Sequence, residues 1–185
     1  MDNERNRVCP VELANSLDSK IRSLIQNPRK ILKPYIKEGM TVLDIGCGPG
    51  FFSVAIAEMV GKNGKVIAAD MQEGMLQKLN KKIAGTELEE RIELHKSQQH
   101  KISISEKVDF ILAFYMIHEV PNAEIFLVEL KDILNEGGKF LIVEPKFFHV
   151  SKKDFAETLG KAEKSGFKVL DQPKFTMSHA ALLVN

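Results

Sequence analysis

Residues 42–50 read Val-Leu-Asp-Ile-Gly-Cys-Gly-Pro-Gly, a short apolar run closing in an acid-bearing, glycine-rich turn. Glycines at 46, 48 and 50 remove side-chain bulk from the turn, so a ligand can lie directly against main-chain N–H groups. A second acid, Asp70, ends the next apolar run, Lys65 to Asp70, 20 residues beyond Gly50. A carboxylate at the tip of one strand, beside a glycine loop at the tip of its neighbour, is placed to accept hydrogen bonds from both hydroxyls of a ribose. That chemistry points to an adenosine-bearing ligand; the alternative for Asp70 is a cap on the helix that follows it. The spacing Gly46-x-Gly48-x-Gly50 departs from the dinucleotide fingerprint, whose third glycine falls one place later, where this chain has Phe51. The departure counts against a nicotinamide-dependent oxidoreductase.

Other side chains are candidates for proton transfer. His118, followed by Glu119, stands four residues past an apolar run ending at Phe114 and reads either as a general base or as a structural histidine before the next helix. Tyr115 and His149 are the alternatives for that role. Glu144 and Lys146 either border a substrate pocket or pair with each other in solvent, and Lys146 reads as solvent-facing. The five histidines and two cysteines, Cys9 and Cys47, form no spacing of the Cys-x-x-Cys or His-x-x-x-His kind, so no metal site is expected. Cys47 belongs to the glycine turn; Cys9, before Pro10, is a substrate-facing thiol or a small buried hydrophobe.

These residues require strands and helices to hold them. Leu13, Leu17, Ile21, Leu24 and Ile25 share a helical stripe over 11–26, and Asn27-Pro28 reads as an N-cap and first-turn proline of a short helix running towards Tyr35. Both helices either pad the outside of a sheet or form a lid. Strands are predicted over 40–45, 65–70, 92–97, 108–114 and 139–144, with helices over 51–60, 72–84, 121–134 and 151–164. Gly137-Gly138 is expected to stop the third of these helices. Segments 167–170 and 175–184 read as two final strands joined by a short, hence antiparallel, connection. Alternation of strand and helix implies a parallel sheet covered on both faces, with ligands at the carboxyl ends of its strands. Residues 46–50, Asp70, Ser97-Gln98, Phe114-Tyr115 and Glu144 all fall at those ends.

At 185 residues, with 44% apolar and 28% charged residues, the chain suits one soluble globular domain. Its formal charge of +1 offers no footprint for nucleic acid or an acidic membrane. There is no apolar run long enough to span a bilayer and no signal-type start, and two separated cysteines suit a reducing compartment; the expectation is a cytoplasmic protein.

Residues 42–50 resemble, almost letter for letter, the first motif of the class I S-adenosylmethionine-dependent methyltransferases. Within that class the chain is similar to the ubiquinone and menaquinone biosynthesis methyltransferases. The likeness continues through Asp70-Met71, the strand 108–114 and Leu134 to Lys139, and covers about residues 39–145. It implies an α/β, three-layer, doubly wound Rossmann-like fold with seven strands in the order 3-2-1-4-5-7-6, strand 7 antiparallel. Residues 1–38 would form an N-terminal helical cap or lid and 39–185 the cofactor domain.

The resemblance places the methionine part of S-adenosylmethionine against Asp44, Gly46 and Gly48, within a cofactor loop that includes Cys47 and Gly50. It puts the ribose on Asp70 and the adenine beside Met71. An acid of the family after strand 3 is replaced here by Gln98, preceded by Ser97, and its amide carbonyl can accept the same adenine hydrogen bond. Phe114 would offer its main-chain carbonyl to the cofactor's ammonium; Tyr115 and Glu144, from their place at the strand ends alone, are the candidates to border the acceptor. Methyl transfer relieves a positive charge on sulfur, so alignment is the main task and can supply roughly 7–11 kcal/mol. Aromatic faces such as Phe51 or Tyr115 add roughly 0.5–2 kcal/mol if near the cation. The expected partner is a small-molecule methyl acceptor, with no nucleic acid and no membrane span, in a monomer or homodimer. A non-catalytic adenosine-ligand-binding module is the competing reading.

Overall fold

The computed structural model describes residues 26–146 and 150–185. The stripe over 11–25, Cys9 and His149 lie outside the described residues. The elements are α1 (Pro28–Leu32), β1 (Thr41–Ile45), α2 (Phe51–Val60), β2 (Lys65–Asp70), α3 (Glu73–Ile83), β3 (Ile92–Lys96), β4 (Val108–Phe114), a 3-10 turn (Ile117–Glu119), α4 (Ala123–Ile133), β5 (Leu134–Pro145), α5 (Lys152–Lys164), β6 (Lys168–Asp171) and β7 (Ser178–Val184). They build one seven-stranded sheet in the order β3-β2-β1-β4-β5-β7-β6. The first five strands run parallel, and β7 is antiparallel to both β5 and β6. This is the order that the resemblance implies.

Strand alternation sorts the sheet into two cores. Val42, Val66, Ala68, Phe110, Leu112 and Val143 pack with α1, α2 and α3 through Leu32, Ile56 and Leu79. Leu43, Ile45, Ile67, Ala69, Ile111 and Ile142 pack with α4 and α5 through Phe126, Leu130, Phe155 and Leu159. Because both faces are covered, the central strands are apolar nearly throughout, and each buried acid stands out.

Local chemistry sets the element ends. Asn27 caps α1 by accepting from the Lys30 N–H at 3.0 Å, with Pro28 in the first turn. Ser151 and Asp154 form a reciprocal capping box on α5. One boundary differs from expectation: α4 ends at Ile133 and β5 starts at Leu134, so Gly137-Gly138 lies within the strand and does not stop the helix. The ladder with β4 shifts register between Val108 and Phe110, and a Cβ on Gly138 would come within 3.0 Å of the Asp109 carbonyl oxygen. The second glycine is there for close strand approach, a need that local spacing does not reveal.

Candidate active site

The carboxyl ends of β1, β2 and β4 surround a cleft bordered by Asp44, 45–49, Phe51, Asp70, Met71, Ser97, Gln98, Phe114, Tyr115 and Glu119, among others. The glycine turn is drawn to β2 by two main-chain bonds, from Gly46 N and Cys47 N to the Ala69 carbonyl at 2.8 and 3.1 Å. This contact sets Asp70 under the turn. Asp70, only 7% exposed, accepts from Gly48 N at 2.9 Å and from Gln72 N at 2.8 Å. Burial pushes its carboxyl up from the usual aspartate value, while N–H donors from Gln72, Gly48 and Met71 oppose the shift. The residue capping α3 is Gln72, so Asp70 spans the turn and the helix entry and does not cap that helix.

Asp44 is also buried, on the same sheet face as Asp70, and accepts a 2.5 Å hydrogen bond from Ser53 Oγ on α2. Ser53 was not singled out by sequence; its position two residues into a helix facing an acid-tipped strand is the signal that was available. Replacing Ser53 with Ala leaves a buried carboxylate short of a donor, and urea unfolding is expected to show a loss of about 1–3 kcal/mol. Cys47 is buried in the same turn, and burial first, then the Asp44 and Asp70 charges, push its thiol well up, so it stays protonated.

The adenine-side expectation concerned Ser97 and Gln98, and both border the cleft, as does Gln99. Their loop is clamped from α4, where Glu129 accepts from Ile102 N at 2.9 Å and Ser103 N at 2.6 Å. From β3, His95 Nε2 donates to the Ile102 carbonyl at 2.6 Å. Met71 borders the cleft and is partly exposed. Phe51, Phe52, Phe114 and Tyr115 form a continuous aromatic ladder, with centroid separations of 5.2, 4.3 and 4.6 Å. Tyr115 adopts a left-handed backbone (φ 64°), and its hydroxyl accepts from Gln26 Nε2 at 2.7 Å and bonds Ser178 Oγ at 2.6 Å.

Three predicted site residues do not border the cleft. Gly50 turns inward, where its Cα faces Leu79 of α3. Glu144 and His118 are brought to one another: His118 N donates to Glu144 Oε1 at 3.2 Å, and His118 Nδ1 lies 2.5 Å from Glu144 Oε2. Glu144 follows Phe140 and Ile142 in strand alternation onto the α4 face, away from Asp44 and Asp70. It pairs with His118, not with the exposed Lys146. Among the described residues, no group of three or more His, Cys, Asp or Glu is gathered to hold a metal, and no helix is long and apolar enough to cross a membrane.

A parallel sheet with this order, an inserted antiparallel β7, and an acid-tipped β2 beside a glycine turn define the Rossmann-like methyltransferase fold. Residues 36–174 match the methyltransferase domain family, and the chain belongs to it. It resembles the crystal structure of a SAM dependent methyltransferase from Aquifex aeolicus, with 29% identity and a TM-score of 0.85 over 95% of this chain and 98% of that one. It is 33% identical over 110 residues to a demethylmenaquinone methyltransferase of Lactobacillus johnsonii, covering 59% of this chain and 45% of that protein. A Bacillus cereus protein of the same name is 28% identical over 109 residues, 59% of this chain and 46% of its own. The chain thus spans under half the length of these curated relatives.

S-adenosylmethionine is the cofactor that this family implies, and the residues present fit it. The turn presents backbone, since a Cβ on Gly48 would meet nothing within 4 Å. A buried carboxylate, Asp70, stands at the tip of β2 beside the turn, amides stand beyond β3, and aromatic rings border the cleft. When bound, the cofactor supplies an electrophilic methyl on a sulfonium.

Proposed function

We propose that this chain is an S-adenosylmethionine-dependent methyltransferase acting on a small-molecule acceptor. The observation that supports the reading is Asp70, a buried carboxylate held under the glycine turn by Gly48 N, a residue type and place suited to accepting hydrogen bonds from a ribose diol. On this reading Asp44, Gly46, Cys47 and Gly48 cradle the methionine part, Met71, Ser97 and Gln98 border the adenine, and the carbonyl of Phe114 serves the ammonium. Phe51 and Tyr115 shield the transferring methyl from water, which matters because the reaction depends on alignment in a dry site. The name of the relatives, demethylmenaquinone methyltransferase, favours a ring-bearing acceptor of the quinone kind.

Calorimetric titration with S-adenosylmethionine and its demethylated product, beside a nicotinamide dinucleotide, tests this. Micromolar binding of the first two alone is expected. Binding of the dinucleotide alone would transfer the site to an oxidoreductase. Cofactor binding without transfer to any nucleophile would make the chain a ligand-binding module.

A further inference from the structure

We infer that Gln26 and Ser178 are positioning residues of the cofactor cleft, which hold the Tyr115 ring in its wall through the tyrosine hydroxyl and so raise the affinity for the sulfonium cofactor. The effect on affinity rests on the methyltransferase reading above; the placement of the ring does not. Phe110, Leu112 and Phe114 alternate along β4 onto the face of α1, α2 and α3, so the next residue should turn to the opposite face. Tyr115 does not. It packs on the same side as Phe114, 4.6 Å from that ring, while Met116 returns to the α4 face. Its left-handed backbone (φ 64°) breaks the alternation, in a conformation that bulky L side chains avoid. A strained residue persists only where its surroundings over-determine it. Here the Tyr115 N–H is fixed by the Val143 carbonyl at 2.8 Å, and the hydroxyl is fixed by two side chains.

Those two side chains come from far along the chain, 89 and 63 residues away. Gln26 lies just ahead of the α1 cap, and Ser178 opens β7 and is buried. The supply of hydrogens gives the contacts a direction. A carbonyl only accepts, so the single hydrogen of Ser178 Oγ goes to the Thr176 carbonyl at 3.2 Å. The serine oxygen then accepts the Tyr115 O–H at 2.6 Å, and the tyrosine oxygen accepts from Gln26 Nε2 at 2.7 Å. Each hydroxyl donates once and accepts once, and hydrogen bonds joined in this way polarise one another. The ring so held borders the same cleft as Asp44 and Asp70. A wall side chain that is already ordered loses no rotamer freedom when a ligand binds, so the three-residue chain of hydrogen bonds preorganises the cleft.

Two measurements test this. The chain has two tyrosines, Tyr35 and Tyr115, so the ligand-free protein labelled with 3-fluorotyrosine gives one ¹⁹F resonance from each. Tyr35 stacks on Phe110, outside the residues that border the cleft, and serves as the internal reference. Gln26→Leu and Ser178→Ala are each expected to move the Tyr115 resonance and leave that of Tyr35 in place. A Tyr115 resonance that stays in place in either variant overturns the positioning. In the second measurement, S-adenosylmethionine is titrated calorimetrically in a double-mutant cycle. Gln26→Leu, Ser178→Ala and Tyr115→Phe are each expected to weaken binding about 2- to 10-fold, the range for one side chain that must be ordered on binding. Because Gln26 acts through the tyrosine hydroxyl, Gln26→Leu should have no further effect in Tyr115→Phe, whereas a role in general stability would give additive losses. Additive losses, or full affinity in Tyr115→Phe, overturn the proposal. A wild-type protein that gives the ¹⁹F response but binds no S-adenosylmethionine would instead remove the methyltransferase reading, with the placement of the ring intact.

Discussion

Asp70→Asn is expected to weaken S-adenosylmethionine binding about 10- to 100-fold, because a charge-assisted hydrogen bond to a ligand contributes roughly 1.5–3 kcal/mol. The change is nearly isosteric, and the amide oxygen can keep one of the two N–H donors, Gly48 or Gln72, that the carboxylate now holds. Stability should move the other way. Burial raises the native carboxyl above the ordinary value of 3.8. A raised native pKa means that the folded chain holds this proton more tightly than the unfolded chain does. The resulting stabilisation is complete below the unfolded value and disappears as pH rises through the folded one. At neutral pH the wild type therefore carries a buried charge that Asn lacks. The urea midpoint of Asp70→Asn relative to wild type should rise with pH across that window, while calorimetry shows the affinity loss. Unchanged affinity would separate Asp70 from the ribose.

Gly50→Ala is expected to lower the unfolding free energy by about 2–5 kcal/mol. The backbone there has φ +86°, and a left-handed residue with a Cβ costs about 1–2 kcal/mol. The new methyl would also lie 2.3 Å from Leu79 Cδ1 in a packed core, and overpacking of that kind costs about 1–3 kcal/mol. For a chain of this size, each kcal/mol shifts Tm by roughly 2–4 °C, so a thermal scan should register a fall of about 5–15 °C. Gly48→Ala is the control, because φ is +54° but nothing lies within 4 Å of its Cβ, leaving the backbone cost alone. Equal destabilisation by the two would overturn the packing account.

The two glycines look alike in the sequence and differ in what they do. Both belong to the turn that the spacing singled out, yet Gly48 borders the cleft while Gly50 lets α3 approach the turn. Similarly, Glu144 sits at the end of an inner strand, as the acids of the other strands do. Period-2 alternation carries it to the opposite face of the sheet, where it meets His118. Alternation along β5 was available from the sequence, but which face met α4 was not. Ser53 and Glu129 went unnoticed because their importance comes from what they touch, an acid on β1 and two N–H groups of a distant loop.

Residue order by itself determined the number and sequence of strands and helices in the sheet, though not where α4 gives way to β5, and it determined the glycine turn and the acid at the tip of β2. Each of these follows from local causes: apolar periodicity, positive-φ demands and caps within a few residues. The strand order 3-2-1-4-5-7-6 came with the family resemblance. The tertiary structure alone decided which polar groups were paired. Asp44 with Ser53, Asp70 with Gly48 and His118 with Glu144 join residues 9, 22 and 26 positions apart. A buried polar group must find a partner, but the nearest one in space is chosen by how the layers pack, and no local pattern along the chain carries that information.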